Sequence, residues 1–130
     1  MSYNIDINIS VDELIRRILE NKKRLVEYVK SLAEIYNKVN SEDGLPNNSE
    51  KEILDIPNAF PVIIYREPSK DAYRDLFSKA LLFLKLEYAI YEAIENRLSK
   101  LKGHGFKATV RYFGDAPSLV VISLDSTKEQ

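Results

Sequence analysis

Between Asn96 and Gly114 the chain carries Arg97, Lys100, Lys102, Lys107 and Arg111 together with His104 and no acidic residue, interleaved with Phe106, Tyr112 and Phe113. Cations in such a run supply sequence-independent attraction for a phosphate backbone, and exposed aromatic rings stack on unpaired bases. Arg97, Lys100, Lys102, His104, Lys107 and Arg111 are therefore the expected contact set for DNA, RNA or another polyanion. The same residue types have a plainer use. Lysine and arginine complement the dipole in the last turn of a helix and keep the outer face of a strand wet. Alternation over 106–113 puts Lys107, Thr109, Arg111 and Phe113 on one face, and Phe106, Ala108, Val110 and Tyr112 on the other, which is the expected core face.

Other chemistry has little to work with. There is no cysteine, which excludes thiolate metal sites, iron–sulfur clusters, thiol nucleophiles and disulfides. His104 is the only histidine, so no triad or metal site has a second imidazole to draw on. With four glycines the chain has no phosphate-cradling loop, nucleophile elbow or dinucleotide fingerprint. Of Glu87, Glu92 and Glu95, only Glu95 falls on the apolar stripe of its helix, where a cation is its expected partner; Lys22, which interrupts the stripe of the first helix, is the natural choice. Residues 102–109 approach the glycine–aromatic signature of RNA-recognition modules, but His104, Lys107 and Thr109 occupy positions that need other residue types. Gly103 and Gly105 read instead as a helix cap and a turn. A winged helix would need a sharp turn within Leu81–Glu92, where no Gly, Pro, Asn or Ser occurs. The expectation is a non-enzymatic protein without metal or cofactor.

The elements that must position the basic segment follow from periodicity. Tyr3, Ile5, Ile7 and Ile9 alternate with polar residues, the pattern of a half-buried strand whose isoleucines face the core. Ser10 and Glu13 form a capping-box sequence, so a helix starts near Val11 and runs to about 39. Its apolar stripe is Val11, Ile15, Ile18, Leu25, Val29, Leu32, Tyr36 and Val39. Asp12/Arg16, Glu13/Arg17, Glu20/Arg24 and Glu34/Lys38 are spaced as ion pairs on its wet face.

Asn40–Pro57 is loop by composition, with a second capping-box sequence at Ser49–Glu52 that predicts a short helix over 50–55. Residues 59–66 predict a buried strand with Pro61 at its start or on an edge. Pro68 and Ser69 open a second long helix, from 71 to about 102, closed by Gly103. Its apolar arc is wide. Tyr73, Phe77, Leu81, Leu84, Tyr88, Tyr91 and Leu98 lie on one side with Leu76, Ala80, Phe83, Ile90 and Ile94 beside them, which calls for two neighbours: the first helix, and a sheet or a second protomer. Residues 106–113 and 119–124 bracket Gly114-Asp115-Ala116-Pro117 as a hairpin.

The predicted fold class is α+β, order β-α-β-α-β-β, with two long helices forming an antiparallel hairpin on a small, mostly antiparallel sheet. It is read as a single domain over 1–125, with 126–130 a polar tail expected to be disordered. Helices of roughly 43 Å outrun strands of five to eight residues, so part of the helical pair should extend past the sheet.

Composition bounds the rest. The 130 residues hold 20 acidic and 19 basic side chains, with 45% hydrophobic and 30% charged residues. This excludes a wholly disordered chain, and no apolar run reaches the roughly 18 residues of a membrane span. The near-zero net charge conceals segregation, since Glu42 to Asp55 carries five acids and one lysine. The N-terminus shows no signal-peptide pattern, so a cytoplasmic protein is expected, and abundant Lys, Glu, Ile and Tyr hint at a thermophile. Together these features point to an interaction subunit or adaptor of a larger assembly. Homo-oligomer or partner-protein contacts would run through the long helices, with polyanion contact at 97–111. The alternatives are a stand-alone nucleic-acid-binding protein and, more remotely, a small Glu/Tyr enzyme.

Overall fold

Ser10 is the last residue of β1 (Ile5–Ser10) and also the cap of α1 (Val11–Asn40) in the computed structural model, which describes residues 4–124. Its hydroxyl accepts the Glu13 N–H at 3.0 Å, satisfying one of the orphan donors at the helix start. The reciprocal half of the capping box does not form. The Glu13 carboxylate instead accepts from Nε of Arg16 at 3.0 Å and of Arg17 at 3.1 Å, and the Arg16 guanidinium holds its carboxyl at about 2. The remaining elements are β2 (Lys51–Leu54), β3 (Val62–Tyr65), α2 (Lys70–Leu98), a 3-10 turn over Ser99–Leu101, β4 (Lys107–Phe113) and β5 (Ala116–Ser123). The chain is α+β in the expected order, with β2 as one further strand. All strand pairs are antiparallel: β1-β4-β5 form one sheet and β2-β3 another. The predicted tail over 126–130 lies outside the described residues. Two compact units emerge, one from 4–27 with 84–124 and one from 28–83.

In the first unit α1 and α2 run antiparallel, since Asp12 meets Gly103 while Lys22 meets Glu92 and Glu95. Val11, Leu14, Ile15, Ile18 and Leu25 on α1 pack against Tyr91 and Leu98 on α2 and against Ala108, Val110 and Ala116 of the sheet. Steps of three and four put these α1 residues on one stripe. Lys22 falls on that stripe, and the interior accepts it because its Nζ lies 2.8 Å from Glu95 Oε1 and 5.1 Å from the centre of the Tyr88 ring. Tyr91 is fully buried, and its hydroxyl donates to Glu87 at 2.7 Å. Desolvation and that carboxylate both push the phenol far above its ordinary pKa.

β1 presents the opposite face from the one its alternation predicts. Asp6, not Ile5 or Ile7, turns toward α1, where it accepts from Arg17 at 2.6 Å and from the Tyr112 hydroxyl at 2.9 Å. A bulge between Asp6 and Ile9, with Asn8 at φ 55°, inserts one residue and returns Ile9 to the core side opposite Ala108. Ile5 and Ile7 are left exposed, Ile7 at 72%. A one-residue slip moves a whole side-chain set to the other face of a strand, and Asp6 has two partners waiting there.

The α1 ion pairs are also partly rearranged. Glu13/Arg17 forms, but Arg16 binds Glu13 and Glu20, leaving Glu20 committed elsewhere than Arg24. Asp12 accepts the Gly103 N–H at 2.9 Å instead of pairing with Arg16, and Glu34/Lys38 makes no ion pair. The hairpin forms as expected but its turn is shorter, Gly114 at φ 63° and Asp115 alone, since Ala116 and Pro117 already belong to β5 and pair with Phe113 and Tyr112. Glycine at the first central position suits a type II′ turn.

In the second unit the predicted helix over 50–55 is the strand β2, paired with β3 from Lys51↔Tyr65 to Leu54↔Val62. A helix of five or six residues closes too few hydrogen bonds to offset its nucleation, whereas pairing with the β-branched Val62-Ile63-Ile64 gives each residue a cross-strand neighbour. Ser49 is accordingly no cap. Its hydroxyl donates at 2.9 Å to Ser69, which is the real cap of α2 and accepts the Ala72 N–H at 3.0 Å. The next orphan donors, Lys70 and Asp71 N–H, reach the carbonyls of Pro46 and Asn47 at 2.9 and 3.0 Å. Tyr36 stacks on Phe77 with ring centres 4.5 Å apart. β3, predicted buried, is half exposed at Val62 and Ile64 because a two-stranded ribbon has one outer face with no layer on it.

The Lys22–Glu95 pair is largely shielded, so Lys22→Met and Glu95→Met should each cost about 1–2 kcal/mol by stranding the other charge, less than a fully buried pair would. The double variant should recover most of that loss in urea unfolding. Single costs that simply add would contradict the coupling.

Candidate functional site

The basic segment begins where α2 runs out. Arg97 lies in its last turn, Lys100 in the 3-10 turn, and Lys102 turns the chain into extended backbone. Gly103 at φ 81° and Gly105 at φ 74° take left-handed conformations that suit glycine, but α2 ends at Leu98, earlier than its periodicity predicts, and the extended Lys102, not Gly103, caps the 3-10 turn. The bond from Gly103 N–H to Asp12 ties this loop to the first turn of α1. His104 is exposed and stacks on Phe106, ring centres 5.5 Å apart. Lys107 and Arg111 follow on the outer face of β4, while Ala108 and Val110 are buried on the inner face.

The six residues therefore fall into two sets: Arg97, Lys100, Lys102 and His104 at the helix end, and Lys107 with Arg111 on the sheet. Among the described residues none of the five cations has an acidic partner within 4.0 Å, in contrast to Arg16, Arg17, Lys22, Arg74 and Lys79. Of the interleaved aromatics, Phe106 and Tyr112 pack on the core as the alternation predicts, and Tyr112 spends its hydroxyl on Asp6. Phe113 is 83% exposed and is the ring left open for stacking.

Apart from Lys107, Thr109 and Arg111, the middle of the outer sheet face is apolar. Ile5, Arg111 and Leu119 stand in register across β1, β4 and β5, with Val121 opposite Thr109. Ile5, Leu119 and Val121 are all more than half exposed. On the inner side, a cleft of about 220 Å³ lined by Leu14, Arg17, Ile18, Asn21, Tyr112 and Asp115 is smaller than the usual range for small-molecule sites, and Arg17 and Tyr112 are already engaged with Asp6. Among the described residues no three His, Asp or Glu side chains converge to hold a metal ion, and no helix is long and apolar enough to cross a membrane.

The unit formed by 28–83 buries little of its apolar surface. Its one buried side chain among the described residues is Ser69. Phe60, at the tip between β2 and β3, is 84% exposed. Leu54, Val62 and Ile64 share the outer face of the ribbon, and Ile35 on α1 with Leu76, Leu82 and Phe83 on α2 are also exposed. A groove of about 270 Å³ runs between β3 and α2, lined by Pro61, Ile63, Tyr65, Asp75, Leu76 and Lys79. Its polar edge is fixed, since Asp75 accepts from Tyr65 at 3.0 Å and from Lys79 at 2.7 Å. The apolar arc of α2 was legible in the sequence; the outer face of the ribbon was not, because β2 read as helix.

No protein-family model matches the chain, and neither does any curated protein or solved structure.

Proposed function

We propose that this chain is a non-enzymatic interaction subunit of a larger assembly, and that residues 28–83 form its principal protein-contact surface. The observation that carries this reading is the absence of any buried apolar side chain in that unit among its described residues, beside the exposure of Phe60, Val62, Ile64, Leu76 and Phe83. Ordering a residue costs about 1–2 kcal/mol of backbone entropy, and covered apolar side chains are the main offset, at about 1.5–3 kcal/mol each. A unit that leaves these rings and aliphatic chains in water gains that offset when a partner covers them. Exposed apolar side chains that adjoin, as Leu54, Val62 and Ile64 do on the outer face of the ribbon, mark an interaction site.

A second reading concerns the basic segment and rests on its five cations, none of which has an acidic partner among the described residues. Arg97, Lys100, Lys102, Lys107 and Arg111 spend no charge on the described carboxylates, and Phe113 stands open beside the sheet pair. In this reading the assembly is a nucleoprotein one, and the subunit touches the phosphate backbone through these residues with His104 between them.

The protein contact is tested by affinity purification from the source cell with wild type and a Leu76→Glu, Phe83→Glu double variant. Co-purifying proteins should fall at least about tenfold in the variant, while urea unfolding of the first unit stays within about 0.5 kcal/mol. Equal recovery would refute the surface. For the second reading, anisotropy with labelled single-stranded DNA and RNA at two salt concentrations should show affinity falling steeply with salt, by about 0.7 in log–log slope for each phosphate contacted. Reversing Lys100, Lys107 and Arg111 to Glu should abolish it; unchanged binding would contradict the reading.

A further inference from the structure

The three-stranded sheet has two edges, and they are built differently. β1 is guarded: a bulge separates Asp6 from Ile9, Asn8 sits at φ 55°, and the strand passes directly into α1. Bulges, inward-pointing charges and short strands are the devices by which edges avoid pairing with other chains.

β5 lacks them over most of its length. From Ala116 to Ser123 it contains no charged residue. Its irregularity is confined to the hairpin end, where Pro117 has no N–H and Ser118 is the extra residue between the pairs Tyr112↔Pro117 and Arg111↔Leu119. Beyond it, Leu119-Val120-Val121-Ile122-Ser123 is regular, rich in β-branched residues and uncharged. No backbone bond joins it to any described strand or loop on the side away from β4. Leu119 and Val121 are 55% and 57% exposed on its outer face, and Val120 and Ile122 are half-buried on the other.

We propose that a second copy of this chain pairs antiparallel along Leu119–Ser123, joining two three-stranded sheets into one of six strands. The segment is self-complementary about Val121. A two-fold axis there sets Val121 against itself and Val120 against Ile122, apolar beside apolar on each face, with Leu119 against Ser123 at the ends and no like charges opposed. Side-chain faces match because each pair has an even sum of residue numbers, as a continuous pleat requires. The guarded β1 edge explains why growth stops at two: β5 against β5 closes, whereas β5 against β1 would propagate. This pairing is separate from the contact assigned to 28–83 and stands or falls without it.

The absence of cysteine makes the test direct. Cα atoms directly opposed in an antiparallel pair are about 4.5–5.5 Å apart, inside the range a disulfide spans. The full chain should sediment as a dimer, and mild oxidation of Val121→Cys should give a covalent dimer at least about tenfold faster than oxidation of Ile7→Cys, an exposed residue on the guarded edge. Val121→Lys should sediment as a monomer, and Leu76→Glu, Phe83→Glu should remain a dimer. A wild-type chain that stays monomeric at about 0.5 mM would overturn the proposal and assign the edge to an extended segment of another protein. Equal cross-linking at positions 7 and 121, or a dimer that survives Val121→Lys, would overturn it as well.

Discussion

Apolar side chains on this chain outnumber the places its own layers provide to bury them, and that shortage organises everything else. Two helices of about 30 residues are served by five short strands in two small sheets. Every buried apolar side chain among the described residues lies in 4–27 or 84–124. There the stripe of α1 finds both α2 and the inner face of β1-β4-β5, and the core closes around Tyr91. The unit over 28–83 has a ribbon whose outer face is bare and helix segments with exposed leucine and phenylalanine.

Polar groups in the first unit are arranged to serve that core. Lys22 would break the α1 stripe, yet Glu95 and the Tyr88 ring let it stay among apolar neighbours. Asp6 reverses the face of β1 by holding Arg17 and Tyr112, which exposes two isoleucines on the outer sheet face. Arg16 and Arg17 consume the nearby carboxylates, while the cations from Arg97 to Arg111 meet none among the described residues. The near-neutral total therefore conceals a segregated basic segment.

Much of this was legible in the residues, for local reasons. Ser10 before Glu13, Ser69 after Pro68, and glycine at 114 are signals read within one turn, and each ends or starts an element as expected. The alternation over 106–113 sorted Lys107 and Arg111 from Val110 and Tyr112 correctly. Lys22 and Glu95, 73 residues apart, could be paired because each interrupts an apolar stripe in helices predicted to be antiparallel. What failed depended on distant partners. Ser49–Glu52 carries a helix-start signal, and only the strand eight residues beyond Leu54 makes it a ribbon. The isoleucines of β1 keep perfect period two, but Arg17 and Tyr112 decide which face turns inward. Periodicity identifies an apolar face without saying whether the same chain covers it, so the exposure of Ile64, Leu76 and Phe83 had to come from the structure.

On the proposed function, a partner covers the bare surface of 28–83 when the protein works. Because the chain has no cysteine, a single thiol at position 76 reports on that surface alone. The labelling rate of Leu76→Cys by a membrane-permeant maleimide should be compared in the source cells and in the purified protein, each scaled to Lys23→Cys. A rate at least about tenfold lower in the cells is predicted, since a covered site reacts only through the small open fraction. Equal rates in the two settings would mean that no partner covers the surface in the cell.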